Sequence, residues 1–385
     1  MKRDAPFDAL TLQGPFDDLF SGAYLGRRVL VTGHTGFKGS WLALWLQALG
    51  ADVCGLALPP EEGPNHLRLL GLAMDEALVD LRNAAAVRAA LDCYRPEIVF
   101  HLAAQPLVRR SYREPGATFD VNVMGLVHLL EAVRETPSVK VVVNATSDKC
   151  YLNRETAEGY REDDALGGHD PYSASKACAE IVSASYRSSF LAGGDGRGQA
   201  VAMATARAGN VIGGGDWSED RLVPDLVRSA TGGQATSIRN PLSTRPWQHV
   251  LEPLAGYLML GERLLADPRA AAEAWNFGPD ASGQLSVAQV IVGFARRWPA
   301  LRCEVDRTPQ PHEAGLLHLD AGKAKQRLGW RPVWDADTAI ARTAAWYRRQ
   351  HEDGSLQTQD DLAHYVADAR RAGLGWAPAR IAEAA

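Results

Sequence analysis

A glycine-spaced turn between an apolar run and an amphipathic segment constrains this chain more than any other feature. Residues 27–32, Arg-Arg-Val-Leu-Val-Thr, form a short apolar run closed by Gly33, the pattern of a buried strand. Leu42, Trp45, Leu46 and Leu49 then recur at i, i+3, i+4 and i+7, one face of a helix from Gly36 to Leu49, with Gly50 in the C-terminal cap position. Between the two stand Gly33, Gly36 and Gly39. A turn of this kind needs residues without a Cβ, so that the backbone can bend sharply, admit a pyrophosphate and pack the helix on the sheet. The helix N-terminus then supplies N–H groups and the positive end of its dipole. The spacing predicts a dinucleotide held by Gly33, Thr35, Gly36, Phe37 and Gly39.

The alternation of strand and helix continues. Further strands are predicted at 52–58, Ala77–Asp80, Glu97–Leu102, Val139–Ala145 and Ala200–Ala206, with helices at Ala84–Leu91, Phe119–Val133 and Ser173–Ser188. Near-continuous apolar strands alternating with helices need a parallel sheet covered on both faces. The expected fold class is therefore α/β: a Rossmann-type doubly wound parallel sheet with a smaller mixed α/β lobe. In this reading residues 1–26 are an N-terminal extension without period. Residues 27–207 form the dinucleotide-binding domain, with a segment at about 245–265 returning to it. Residues 208–350 form mainly the substrate lobe, and 351–385 a helical tail.

Composition excludes several functions. A net charge of -5 without any Lys/Arg block argues against a nucleic-acid partner. Cys54, Cys93, Cys150, Cys178 and Cys303 are odd in number and form no C-x-x-C pair, which points to a reduced, cytoplasmic compartment and no metal site. No apolar stretch reaches the 18 or so residues of a membrane span, and no signal-peptide pattern opens the chain.

Two clusters carry chemistry. Tyr172 and Lys176 stand four apart at the start of a helix, on one face. An ammonium near a phenol favours the phenolate, so the spacing predicts a Tyr172 pKa lowered toward the working pH and a usable base for a hydroxyl proton. Ser147, Asp148 and Lys149 follow the fifth predicted strand, at the carboxyl edge where open α/β sheets bind ligands.

The G-x-x-G-x-x-G turn with Ser147, Tyr172 and Lys176 resembles the short-chain dehydrogenase/reductase superfamily. That resemblance implies a nicotinamide cofactor, also contacted by Asp80, Leu81, Leu102, Ala103, Ala104, Asn122, Tyr172 and Lys176. The second strand ends Ala57-Leu58-Pro59, without the acidic residue that usually meets the adenosine ribose and without an Arg for a 2′-phosphate. NAD is expected over NADP only as a preference.

Asp148 and Lys149 narrow the resemblance to sugar-nucleotide 4,6-dehydratases, which carry two further proton-transfer groups directly after the Ser/Thr. Those are commonly Asp-Glu; the Asp-Lys pair is similar to the branch acting on CDP-glucose. Segments at 34–41, 168–172, 207–217, 220–224, 239–241, 245–253 and 312–314 look like the same branch. The resemblance implies conversion of CDP-glucose to CDP-4-keto-6-deoxyglucose through transient reduction of NAD. Tyr172, Lys176 and Ser147 would oxidise C4, and Asp148 and Lys149 would eliminate water, their acid and base labels exchangeable. It also implies Gln105, Asn210, Arg239 and Arg245 as substrate contacts, a homodimer or dimer of dimers, and a place in deoxysugar synthesis for surface polysaccharide such as O-antigen. The alternative is a 4-epimerase, or a 4,6-dehydratase of another nucleoside diphosphate sugar. Trp217 and Trp247 are either nucleotide-pocket or core residues.

Overall fold

The computed structural model describes residues 16–192, 200–308 and 315–379. In chain order its main elements are β1 (Arg28–Thr32), α1 (Phe37–Ala48), β2 (Asp52–Ala57), β3 (Asp75–Leu78), α2 (Ala84–Tyr94), β4 (Ile98–His101), α3 (Gly125–Arg134), β5 (Val141–Ala145), α4 (Pro171–Tyr186) and β6 (Ala202–Ala208). They continue with α5 (Leu222–Gly232), α6 (Leu251–Ala266), β7 (Ala274–Phe277), α7 (Val287–Arg297), α8 (Ala336–Asp353) and α9 (Thr358–Arg371).

The seven strands form one sheet in the order β7-β6-β5-β4-β1-β2-β3, every neighbouring pair parallel. This is a Rossmann-type doubly wound α/β fold. One face is covered by α1, α6 and α9, with Trp41, Trp45, Leu254 and Tyr365 in its core; the other by α2, α3 and α4, with Val87, Leu91, Leu126 and Leu130. Burial on both faces is why β4, β5 and β6 read as largely apolar runs, interrupted only by buried His101, Asn144, Thr205 and Arg207. Sequence order reverses between β1 and β4, where Thr32 pairs with His101, and the crevice for a ligand opens beyond that point.

The structure corrects the sequence reading in four places. β3 spans Asp75–Leu78, two residues earlier than expected, because it is an edge strand whose register is set by Cys54 opposite Asp75. A polar start is tolerated on an edge, so no apolar run marked it. The helix expected at 119–133 starts four residues earlier, at Pro115, and runs to Arg134 through a wide turn at Asp120–Met124. β7 lies outside the segment assigned to the sheet; Trp275 and Phe277 are buried and the strand pairs with β6. Within the expected N-terminal extension, four residues between 16 and 26 join the core: Phe16, Leu19, Phe20 and Tyr24 are buried, and the Phe20 ring stacks on Trp376 at 5.0 Å. The Tyr24 hydroxyl donates to the Leu258 carbonyl on α6 at 2.5 Å.

The second lobe is built from α5, α7, α8 and three two-stranded ribbons, which pair 211–212 with 248–249, 244–246 with 284–286, and 236–238 with 303–305. Its core includes Val227, Trp247, Phe294, Ile340 and Trp346. α6, between ribbon and sheet, carries fully buried Glu252. That carboxyl accepts from the Val333 and Trp334 N–H groups at 2.9 and 2.8 Å and from the Tyr365 hydroxyl at 2.8 Å. Burial nevertheless pushes its pKa up to about 7. A folded pKa above the ordinary carboxylate value means the native state binds the proton more tightly, so stability is full at low pH and is lost as pH rises through about 7. Glu252 alone should lower the thermal midpoint between about pH 5 and 8 by the equivalent of about 3 kcal/mol at most. Glu252→Gln should flatten that slope in calorimetric scans. Asp361, also pushed up to about 7 by burial, acts in the same direction and preserves part of it.

Candidate active site

A cavity of about 540 Å³ opens beyond the carboxyl ends of β1, β4 and β5 and is closed on the far side by the second lobe. Gly33, Thr35, Gly36, Phe37 and Gly39 line one end. Gly33 has φ +75°, and a Cβ on it would lie 2.7 Å from the Ala103 nitrogen. On Gly39 a Cβ would lie 2.1 Å from the Gly33 carbonyl oxygen. The turn is therefore as tight as the spacing requires, and no side chain caps the α1 N-terminus at Gly36. A backbone cradle of this kind fits the pyrophosphate of a dinucleotide. Asp80, Leu81, Leu102, Ala103 and Ala104 continue the same wall. Asp80 is paired with Arg82 at 2.6 Å, which holds its carboxyl below the usual range. Buried His34 ties the turn to β3 by contacting Glu76 at 2.9 Å.

Ser147, Asp148, Lys149, Tyr172 and Lys176 line the middle of the cavity. The first three follow β5 in a short turn, and the last two lie on successive turns of α4. Asp170 caps α4 by accepting from the Ser173 N–H at 2.9 Å, and Pro171 occupies the first helical position; together they set where Tyr172 starts. The Ser147 hydroxyl donates to Asp148 Oδ1 at 3.0 Å and accepts from the Lys149 N–H at 3.2 Å. Asp148 is 3% exposed, and burial raises its pKa. Its Oδ2 has no partner among the described residues.

Tyr172 departs from expectation. Burial pushes the phenol up to about 12, and the Ser147 hydroxyl beside it only partly offsets this. Lys176 is itself pushed down to about 8 by burial, and its Nζ donates to the Ala145 carbonyl at 3.4 Å. Desolvation outweighs the Ser147 hydroxyl and the positive charge of Arg221, so the phenol's pKa is raised where the i, i+4 spacing predicted it lowered.

At the lobe end Asn210, Arg239 and Arg245 line the cavity. Arg245 is 7% exposed and is oriented by donating to the Thr244 and Gly315 carbonyls at 2.9 and 3.2 Å. Arg239 lies 3.4 Å from Asp220. Trp247 faces the cavity, whereas Trp217 packs in the lobe core against Trp346. His312 and Glu313 lie outside the described residues.

Two expected contacts do not face the cavity. The Gln105 side chain is spent within its own loop: it donates to the Leu107 carbonyl and the Thr118 hydroxyl, and accepts from the Leu107 N–H. Buried Asn122 accepts from the Gln105 N–H at 2.7 Å and donates to the Gln105 carbonyl and the Ser175 hydroxyl. It ties the loop after β4 to α4 rather than meeting a ligand. In turn, Lys38, Arg109 and Arg221 line the cavity and were not singled out by sequence. Lys38 sits inside the glycine turn, where attention falls on the glycines. Its ammonium is pushed down to about 7 by burial, and it donates to the Tyr257 hydroxyl at 3.3 Å.

A glycine turn at the head of a parallel sheet, with Ser, Tyr and Lys converging beyond it, defines a nicotinamide-dependent oxidoreductase site. The sequence pattern of the GDP-mannose 4,6 dehydratase family matches residues 30–343. CDP-glucose 4,6-dehydratase of Salmonella typhimurium is 45% identical over 351 residues, 90% of this chain and 98% of that protein. A dTDP-glucose 4,6-dehydratase of Xanthomonas campestris is 26% identical over 338 residues, 83% of this chain and 92% of that one. Among solved structures, UDP-glucose 4-epimerase of Thermus thermophilus with NAD is similar at a TM-score of 0.69 and 25% identity, covering 83% of this chain and 99% of that one. A dTDP-glucose 4,6-dehydratase of Streptomyces venezuelae with NAD bound reaches a TM-score of 0.70 at 24% identity, covering 84% and 97%. The chain belongs to the sugar-nucleotide 4,6-dehydratase family, within the extended short-chain dehydrogenases/reductases.

Proposed function

We propose that the chain is a CDP-glucose 4,6-dehydratase, with NAD held on the glycine turn by Gly33, Gly36 and Gly39 and along the wall from Asp80 to Ala104. The observation that carries this reading is the placement of Asp148 and Lys149 in one cavity with Ser147, Tyr172 and Lys176. A simple reductase or epimerase has no use for the first two. The relative at 45% identity supports CDP-glucose as the substrate.

Held there by Gly33, Gly36 and Gly39, NAD would supply a reversible hydride acceptor for C4 and donor for C6 of the sugar, and with a proton restored to C5 from Lys149 the cycle would close without net redox change. Tyr172 would take the 4-hydroxyl proton as phenolate, the form that the positive charge of Lys176 and of a bound nicotinamide ring would favour, with Ser147 fixing that hydroxyl. The resulting 4-ketone acidifies the C5–H bond. Lys149 removes the C5 proton while Asp148 gives its proton to the departing 6-hydroxyl: the C6–O bond breaks, water leaves and a C5=C6 double bond forms. The raised pKa of buried Asp148 supports its role as the proton-bearing partner. Arg245, Arg239 and Asn210 serve the diphosphate, Arg245 through its guanidinium fork.

The test is incubation of purified protein with CDP-, dTDP-, GDP- and UDP-glucose in deuterated water. CDP-glucose should give the 4-keto-6-deoxy product fastest, carrying deuterium at C5. Formation of a 4-epimer without deuterium would overturn the reading.

We also place the enzyme in the cytoplasm, as a homodimer or dimer of dimers supplying deoxysugars for surface polysaccharide such as O-antigen. All five cysteines are free, and no helix among the described residues is long and apolar enough to cross a membrane. Exposed Met124, at the start of α3, and Ile181, on α4, support pairing through those two helices.

A further inference from the structure

Beyond the groups that face the cavity, a buried ion pair lies directly behind the catalytic turn. Tyr172, Lys176 and Glu180 stand four residues apart on α4, so Glu180 follows the two catalytic side chains along one face. Its carboxylate, 2% exposed, meets Arg207 of β6 at 2.9 Å. The Thr146 hydroxyl donates to Glu180 Oε1 at 2.5 Å and the Thr205 hydroxyl to Oε2 at 2.8 Å. Arg207 donates in turn to the Tyr151 hydroxyl at 2.8 Å and to the Glu162 carbonyl at 3.1 Å. Tyr151 passes the chain on to Asn276 of β7 at 2.7 Å.

Thr146 and Tyr151 bracket Ser147, Asp148 and Lys149, so both ends of the catalytic turn hang on one Glu180–Arg207 pair. Burying two charges is costly, and an apolar pair of similar volume would serve stability at least as well. What the charged pair adds is direction: its donors and acceptors fix the turn at two points relative to α4. We infer that Glu180 and Arg207 are positioning residues that hold Asp148 and Lys149 in register with Tyr172 for the elimination step. The inference rests on the dehydratase reading for its kinetic test only.

Three variants of the full chain decide it: Thr146→Val and Tyr151→Phe, which each cut one tether, and Thr146→Ser, which keeps the hydroxyl. With CDP-glucose the first two should lose about tenfold in kcat, with KM within about twofold, because a small misplacement costs rate rather than binding. Thr146→Ser should retain at least about half of the wild-type kcat. Cys150, fully buried inside the turn, gives a readout independent of the reaction. Its alkylation by N-ethylmaleimide, followed by mass spectrometry, should accelerate about tenfold in the two tether variants and not in Thr146→Ser. Buried Cys54 on β2 should keep its wild-type rate in all three. Unchanged kcat and unchanged Cys150 labelling would overturn the inference. So would loss shared by kcat, KM and Cys54 protection, or failure of Thr146→Ser to rescue. An inactive wild type would instead fail the dehydratase reading and leave the labelling test to judge the tethers.

Discussion

Asp148→Asn should lower formation of the 4-keto-6-deoxy product by about 10²–10⁴-fold, the usual contribution of a positioned proton donor. Asparagine keeps the size of the side chain and an oxygen to accept from Ser147, which holds Asp148 at 3.0 Å, but it has no acidic proton for the departing 6-hydroxyl. Oxidation at C4 uses Tyr172 and should survive. Mixing the NAD-loaded variant with CDP-glucose is therefore expected to produce the absorbance of reduced nicotinamide without release of dehydrated product. Tyr172→Phe should abolish both signals. If Asp148→Asn and a Lys149→Met partner left product formation near wild type, the elimination chemistry would lie elsewhere.

Gly39→Ala should damage both stability and cofactor binding. Its Cβ would stand 2.1 Å from the Gly33 oxygen and 2.8 Å from the His34 Cα, both backbone, so neither neighbour can rotate away. The turn has to open, at a cost of about 1–3 kcal/mol in stability. Because the same backbone forms the pyrophosphate cradle, NAD affinity should fall by about 100-fold, equivalent to nearly 3 kcal/mol. Titration calorimetry with NAD and a thermal scan measure the two effects. Gly116→Ala is the control, since a Cβ there meets nothing within 4 Å. Its stability and NAD affinity should stay at wild-type values.

Much of the site was legible because its chemistry is local. The turn Gly33–Gly39 and the pairs Ser147/Asp148 and Tyr172/Lys176 each lie within a few residues, and a strand end or a helix turn suffices to aim them. Gln105 and Asn122 do not line the cavity but bond to a neighbouring loop and helix, and sequence cannot show this because a polar side chain near a strand end looks the same whether it faces a ligand or a loop. Lys38 was passed over because only the folded turn shows that its side chain follows the glycines into the cavity.

The sequence alone determined the alternation that makes a parallel sheet, the tight glycine turn at its head and the polar groups gathered at the strand and helix ends beyond it, since each depends on short-range periodicity and spacing. The tertiary structure decided the rest. It recruited Phe20 and Trp376 from opposite ends of the chain into one core and added β7 to the sheet from within the stretch that supplies the second lobe's ribbons. It also set the charge states of the catalytic groups. Burial holds Tyr172 near 12 and Lys176 near 8, against the shift that their spacing predicts for the phenol, because desolvation depends on everything packed around a group and not on its neighbours in sequence.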